Sequence, residues 1–207
     1  MEIIVFQIII LLFSVVIHEV SHGVVAEKLG DPTARLAGRL TLNPLKHLDP
    51  FGSGVLPFLL SLIPGGIVFG WAKPVPYNPY NLKNPEKGGA LIAAAGPLSN
   101  IFLAIIFAIF YRILGLVSSP APWLFTLSEF FSMLVLINVV LAIFNLVPIP
   151  PLDGSKVLFA ILPASANRVK FALEQYGFVL VMIFIFFGFR FISPVILGIY
   201  RLLIGGI

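Results

Sequence analysis

Residues 17–23 read Ile17-His18-Glu19-Val20-Ser21-His22-Gly23, and the reading of the whole chain starts there. A helix turns about 100° per residue, so His18 and His22 share one face, one turn apart. They are placed to grip a single metal ion. Glu19 is offset around the helix and can reach a water on that metal without binding the metal itself. The five-residue pattern also turns up by chance on the wet faces of soluble helices. Here it closes an apolar run over residues 3–17, and Val24, Val25 and Ala26 follow it. Ionisable groups at such depth are costly and mark function.

The composition places the chain in lipid. Of its 207 residues, 59% are hydrophobic and only 11% charged, with a mean hydropathy of +1.06. A soluble domain is nearer to about 45–50% apolar and ~25% charged. A cell-membrane, multi-pass integral protein is expected, with the lipid bilayer as a partner. The net charge of +4 raises the question of nucleic acid. The basic residues are scattered through short loops and form no stripe, so no nucleic-acid partner is expected. The Lys and Arg bias of cytoplasmic loops accounts for them. The chain has no cysteine, which excludes a disulfide framework and thiolate ligands. Any metal must be held by His, Asp or Glu. The first apolar stretch lacks the charged start of a signal peptide, Glu2 being the only charge before it. It is read as a retained helix.

Gly30-Asp31-Pro32 stops that helix. Leu36, Leu40 and Leu42 then alternate loosely with polar neighbours, which predicts a small β hairpin near residues 34–42. Residues 51–70 are apolar but broken by Pro57, Pro64, Gly65 and Gly66, and hardly reach the ~20 residues of a span. They are read as a re-entrant or kinked segment, which survives at membrane depth only where protein or a wet cavity covers it. A proline-rich loop fills residues 71–79. The next apolar segment, residues 88–116, opens with Gly89, Ala93 and Pro97 spaced four apart, a pattern that lets helix backbones approach closely. Another covers residues 125–146, and a short helix is expected to start near Ser155. Residues 169–187 give a further span, and residues 191–204 a short last segment. The expected fold is an all-α polytopic membrane protein with about five to six membrane segments.

The loop charges set an orientation. Lys28, Arg35, Arg39 and Lys46 fall in one loop, Lys73, Lys83 and Lys87 in the next, and Lys156, Arg168 and Lys170 after the fourth segment. If residues 51–70 re-enter without crossing, all three groups face the cytoplasm. The His pair and Asp153 then lie at the cytoplasmic side together.

Catalytic zinc usually takes three protein ligands and leaves one position for water. His18 and His22 supply two. Asp153 is the strongest third candidate, sitting in a Pro-rich turn beside Gly154; the pattern fits a helix N-cap equally well. His47 and Asp49 are rivals in a loop with ordinary turn chemistry. With a third ligand in place, Glu19 takes a proton from water and passes it to the leaving amine. Asn145 is a candidate donor to the oxyanion, although an interhelical hydrogen bond would explain it nearly as well, as it would Asn100 and Asn138. A different class, a zinc-binding membrane transporter or non-catalytic scaffold, would use the same ligands without needing Glu19. A transporter would also carry further ionisable groups along a path, and the central parts of the later helices hold almost none.

His18-Glu19-Val20-Ser21-His22, then Ala95-Gly96-Pro97-Leu98-Ser99-Asn100, then Asn145-Leu146-Val147-Pro148-Ile149-Pro150-Pro151-Leu152-Asp153-Gly154 together resemble the site-2 protease family of intramembrane zinc metalloproteases. The resemblance covers roughly residues 10–165 and matches a compact member without PDZ-like or CBS-type domains. It implies a metalloprotease membrane core over residues 1–165, with C-terminal membrane helices over residues 166–207. It implies one Zn2+ per chain on His18, His22 and Asp153, Glu19 as catalytic base, and a role for Asn145 in holding substrate or the oxyanion. It also implies a transmembrane peptide as substrate.

Overall fold

The computed structural model describes residues 2–55, 72–117 and 121–206. The described elements are helical throughout: α1 (Glu2–Lys28), α2 (Thr33–Leu36), α3 (Pro85–Gly115), α4 (Pro122–Asn145), α5 (Asp153–Ile161), α6 (Asn167–Ile183) and α7 (Phe189–Ile204), with short 3-10 and π turns between some of them. Among the described residues, four helical stretches are long and apolar enough to cross a membrane: Val5–Lys28, Pro85–Gly115, Pro122–Asn145 and Asn167–Ile204. Large apolar side chains such as Phe6, Phe13, Phe102, Phe110 and Trp123 point outward and are exposed, as suits a surface whose solvent is hydrocarbon.

The packing follows from rows of residues four apart. On α1, Ile10, Ser14, His18, His22 and Ala26 form one buried row; on α3, Gly88, Ile92, Gly96, Asn100, Ala104 and Ala108 form another. Such rows are the ridges by which helices interlock. Small residues dominate the α3 row, so its backbone comes close to its neighbours. The two helices run antiparallel, since Ser14 and His18 meet Asn100 while His22 meets Ile92. Further along the same row of α3, toward its C-terminal end, Ala104 and Ala108 pack with Val135 and Val139 of α4 and Ile196 of α7. Asn84 caps α3 by accepting from the Lys87 N–H, and Pro85 follows it, a start that suits a helix lacking its first donors.

Two sequence expectations are corrected. Among the described residues there is no strand near 34–42. Thr33–Leu36 close a helical turn instead, ended by Gly38 at φ 63°. The Gly38 N–H donates to Arg35 O and the Arg39 N–H to Ala34 O, the paired bonds of a left-handed helix stop. Leu36 and Leu42 are left exposed, so their alternation serves no buried sheet face. Second, the last two expected segments are one. α6 and α7 are joined through a π turn, Phe184–Gly188, in which Gly188 stays right-handed helical. The joined run starts beside the first turn of α3, where Lys170 Nζ lies 3.5 Å from Glu86 Oε1. It ends beside the last turn, where Arg112 Nε donates to Leu203 O at 2.7 Å. It therefore passes along α3 once. The described residues thus hold four candidate spans where five of the expected six segments fell, because the last two are one. The remaining expected segment, the re-entrant reading of 51–70, falls mostly on residues 56–70, outside the described residues. Their flanks are tied together: the Lys73 N–H donates to His47 O at 2.9 Å.

Asp31 secures the turn after α1. Fully buried, it accepts from the Thr33 N–H and hydroxyl, the Asn78 N–H and the Asn81 amide. Burial pushes its carboxyl up, and the hydrogen bonds from Thr33, Asn81 and Asn78 outweigh that and hold it below the ordinary value. A depressed folded pKa contributes stability that is present above the unfolded pKa of ~3.9 and is lost as pH falls through the folded value. Asp31→Asn is therefore expected to destabilise the fold by about 2 kcal/mol at neutral pH. The gap to the parent should close on acidification below about pH 4, as read by thermal unfolding in detergent across pH.

Candidate metal centre

Three side chains converge where α1, α3 and α5 meet. His18 Nε2 lies 3.0 Å and His22 Nε2 3.3 Å from Asp153 Oδ2. The two rings stand edge-on, with centroids 4.6 Å apart. Among the described residues, this is the one group of His, Asp or Glu able to share an ion. The alternative reading of Asp153 as a helix cap does not hold. Leu152 occupies the cap position, α5 starts at Asp153 itself, two residues before the expected Ser155, and the carboxylate turns to the imidazoles.

The outer nitrogens fix the protonation of both rings. His22 Nδ1 lies 2.6 Å from Ile92 O. A backbone carbonyl only accepts, so Nδ1 carries a proton, and in the neutral ring Nε2 presents a lone pair. His18 Nδ1 lies 2.6 Å from Asn100 Oδ1. The Asn100 amide cannot be turned round, because its Nδ2 donates to Ser14 O at 3.3 Å and to Asn138 Oδ1 at 2.9 Å. Asn138 is oriented in turn by donating to Leu134 O and Ser14 Oγ. Asn100 and Asn138 are both fully buried. This chain of amides from α4 through α3 to α1 sets the His18 tautomer, as outer partners do for metal-bound histidines.

Two bare nitrogens and a carboxylate oxygen packed this closely repel one another unless a metal cation or a shared proton sits among them. The two separations to Asp153 Oδ2, 3.0 and 3.3 Å, are close to the edge of a tetrahedron with metal–ligand bonds of ~2.0–2.1 Å, which is roughly 3.3 Å long. Gly96 leaves the space. A Cβ there would lie 2.5 Å from both His18 Nε2 and His22 Nε2. The residues present thus fit a divalent ion of the zinc type.

The other singled-out residues are placed as follows. Glu19, half-buried, stands outside the three-residue group, and its Oε2 accepts from the Val75 N–H at 2.9 Å. Asn145 ends α4 and donates to Leu141 O of its own helix at 2.9 Å. His47 is buried away from the group, with Nε2 donating to Thr41 O. Asp49 accepts from the Phe51 and Gly52 N–H groups. Asn100 and Asn138 were open between site and packing roles. Asn100 touches a site histidine, and Asn138 orients Asn100. Its place four residues after Gly96, on the ridge that faces α1, is the signal that could have singled out Asn100.

Comparison with known proteins gives a family. The model of peptidase family M50 matches residues 6–121 and 113–189. YwhC of Bacillus subtilis (strain 168), named as a candidate zinc metalloprotease, is 40% identical over 181 residues, covering 86% of this chain and 78% of YwhC. Rip2 of Mycolicibacterium smegmatis, named likewise, is 31% identical over 180 residues, 83% of this chain and 63% of its own length. MJ0611 of Methanocaldococcus jannaschii is 36% identical over 143 residues, 69% of this chain and 63% of its own length. No solved structure matches. Since the family match takes in both the histidine pair of α1 and the aspartate that opens α5, the resemblance read from the sequence is borne out, and this chain belongs to peptidase family M50, the site-2 protease family of zinc metalloproteases.

Proposed function

We propose that this protein hydrolyses peptide bonds of transmembrane substrates inside the bilayer, with one zinc ion on His18, His22 and Asp153 and Glu19 as general base. The observation that carries this reading is the convergence of those three side chains, the two histidines on a helix apolar enough to span, beside a carboxylate that does not join them. Bound on those three ligands, zinc would supply Lewis-acid chemistry, lowering the pKa of a coordinated water to ~7 and polarising the scissile carbonyl. His18 and His22 keep their Nδ1 protons on Asn100 and Ile92, so their Nε2 lone pairs stay aimed inward. Glu19 is tethered through Oε2 to Val75, which leaves Oε1 to take a proton from water and return it to the leaving nitrogen. Asn145 has one amide hydrogen engaged with Leu141 O. Its second is the proposed donor to substrate carbonyl or oxyanion.

We place the site near the cytoplasmic side. The end of α1, the start of α3, the end of α4 and all of α5 share one end of the molecule, and the Lys- and Arg-bearing loops lie there. All the proposed site residues fall within residues 1–165.

The test uses protein reconstituted in liposomes with a pool of fluorescein-labelled single-span peptides, each of ~20 apolar residues. One zinc per chain and fragment release are expected. 1,10-Phenanthroline should abolish both, and added zinc should restore both. A full zinc complement with no fragment from any peptide would favour the carrier or scaffold class instead.

A further inference from the structure

Arg39 is only 7% exposed. A guanidinium so buried needs all-round hydrogen bonding. It donates to three backbone carbonyls: Lys46 O, Lys73 O at 2.9 Å and Pro74 O at 3.2 Å. The last of these belongs to the same peptide unit as the Val75 N–H that holds Glu19 Oε2 at 2.9 Å. One flat amide, rigid by resonance, therefore has Arg39 Nη2 on its oxygen and the Glu19 carboxylate on its hydrogen, while Nη1 anchors the guanidinium on Lys46 O. Pro74 and Pro76 flank Val75 and bring no N–H of their own, so this strap offers one donor there, and Glu19 has it. Gly23, one turn beyond Glu19, lets the strap close on α1. A Cβ at Gly23 would meet Leu40 Cδ2 at 2.5 Å and Val75 Cγ1 at 2.9 Å.

We propose that Arg39 is a positioning residue for Glu19, acting through the Pro74–Val75 peptide. This rests on the reading of Glu19 as base. The guanidinium, held on Lys46 O and Lys73 O, steadies that peptide through Nη2, the peptide fixes one carboxylate oxygen, and the other oxygen is thereby held toward the ion site. Arg39 itself touches neither the three-ligand group nor substrate. Losing it leaves the ligands in place and lets Glu19 swing.

The experiment compares parent, Arg39→Ala and Arg39→Lys on whichever peptide of the pool is cut fastest. It reads kcat, KM, zinc per chain, and hydrogen exchange of the segment 72–77. Arg39→Ala is expected to lower kcat by about 10–100-fold, the scale of a displaced catalytic group. KM and zinc content should stay at the parent level, and exchange of the Val75 amide should speed up. Arg39→Lys keeps a cation but not the planar fork, so a loss of about 3–10-fold with intermediate exchange is expected. It also decides the matter if Arg39→Ala fails to fold. Parent-like kcat and exchange in the variants overturn the proposal, as does a fall in activity that tracks loss of zinc or a rise in KM. Glu19→Ala should free the Val75 amide whether or not Glu19 is the base. An active Glu19→Gln enzyme with that coupling intact would therefore sink the base reading while leaving the Arg39 tether standing.

Discussion

Glu19→Gln is expected to keep one zinc per chain and to lose cleavage by about 10²–10⁴-fold, the usual contribution of a positioned general base. The substitution is nearly free of structural consequence here. Glu19 lies outside the three-ligand group, and its contact to the chain is as an acceptor from the Val75 N–H. A glutamine carbonyl oxygen accepts the same bond in the same place, so the strap stays against α1. What is lost is the ability of the second oxygen to hold a proton between water and the leaving nitrogen. Metal content by atomic emission and fragment release from the peptide pool, measured on one preparation, check both halves. A carrier or scaffold would be little affected in either. Zinc retained with cleavage at the parent rate would remove Glu19 from the chemistry.

The sequence showed the site more fully than the fold, for physical reasons visible at particular residues. His18 and His22 are legible because helical spacing alone puts them on one face. Asp153 was undecided on its own pattern, since an aspartate before Gly154-Ser155 suits a cap as well as a ligand; only a contact between residues 135 apart in sequence separates the two. The hairpin near residues 34–42 failed because alternation of leucines carries no information about Gly38, whose left-handed backbone ends a helical turn there. The last two segments were parted at Gly188, which in the fold does not break the helix. The extra residue is absorbed in a π turn. Arg39 shows the same limit from the other side. In sequence it is a loop cation that helps set orientation; in the fold it is a buried hub for three carbonyls, and nothing local to residue 39 says so. Asn100 and Asn138 were legible as buried polar groups in apolar helices and ambiguous in role, because a role for an amide is set by what it faces.

Gly96→Ala is expected to abolish zinc binding and cleavage while leaving the protein folded. The added methyl carbon would sit 2.5 Å from His18 Nε2 and from His22 Nε2 and 2.6 Å from His18 Cε1, well inside contact distance. Relief by ring movement is blocked, because each ring is held from behind, His18 by Asn100 and His22 by Ile92. Relief by backbone movement is blocked as well. Ile92 and Asn100 lie one turn before and one turn after Gly96 on the same ridge of α3, so a shift of the helix drags both partners with it. The methyl therefore takes the space where the ion would sit, and the ligand set is spoiled without any ligand being changed. The zinc affinity should fall by more than about 100-fold, beyond what loss of one outer partner produces. Helix propensity works the other way, alanine being favoured over glycine by ~1 kcal/mol inside a helix, so far-UV circular dichroism should remain at the parent level. Gly115→Ala, at the end of the same helix with nothing within 4 Å of its Cβ, serves as the control and should leave zinc and cleavage unchanged. A Gly96→Ala protein that still carries one zinc per chain and still cuts would mean that the two imidazoles do not face α3 as described, and the metal centre would have to be built elsewhere.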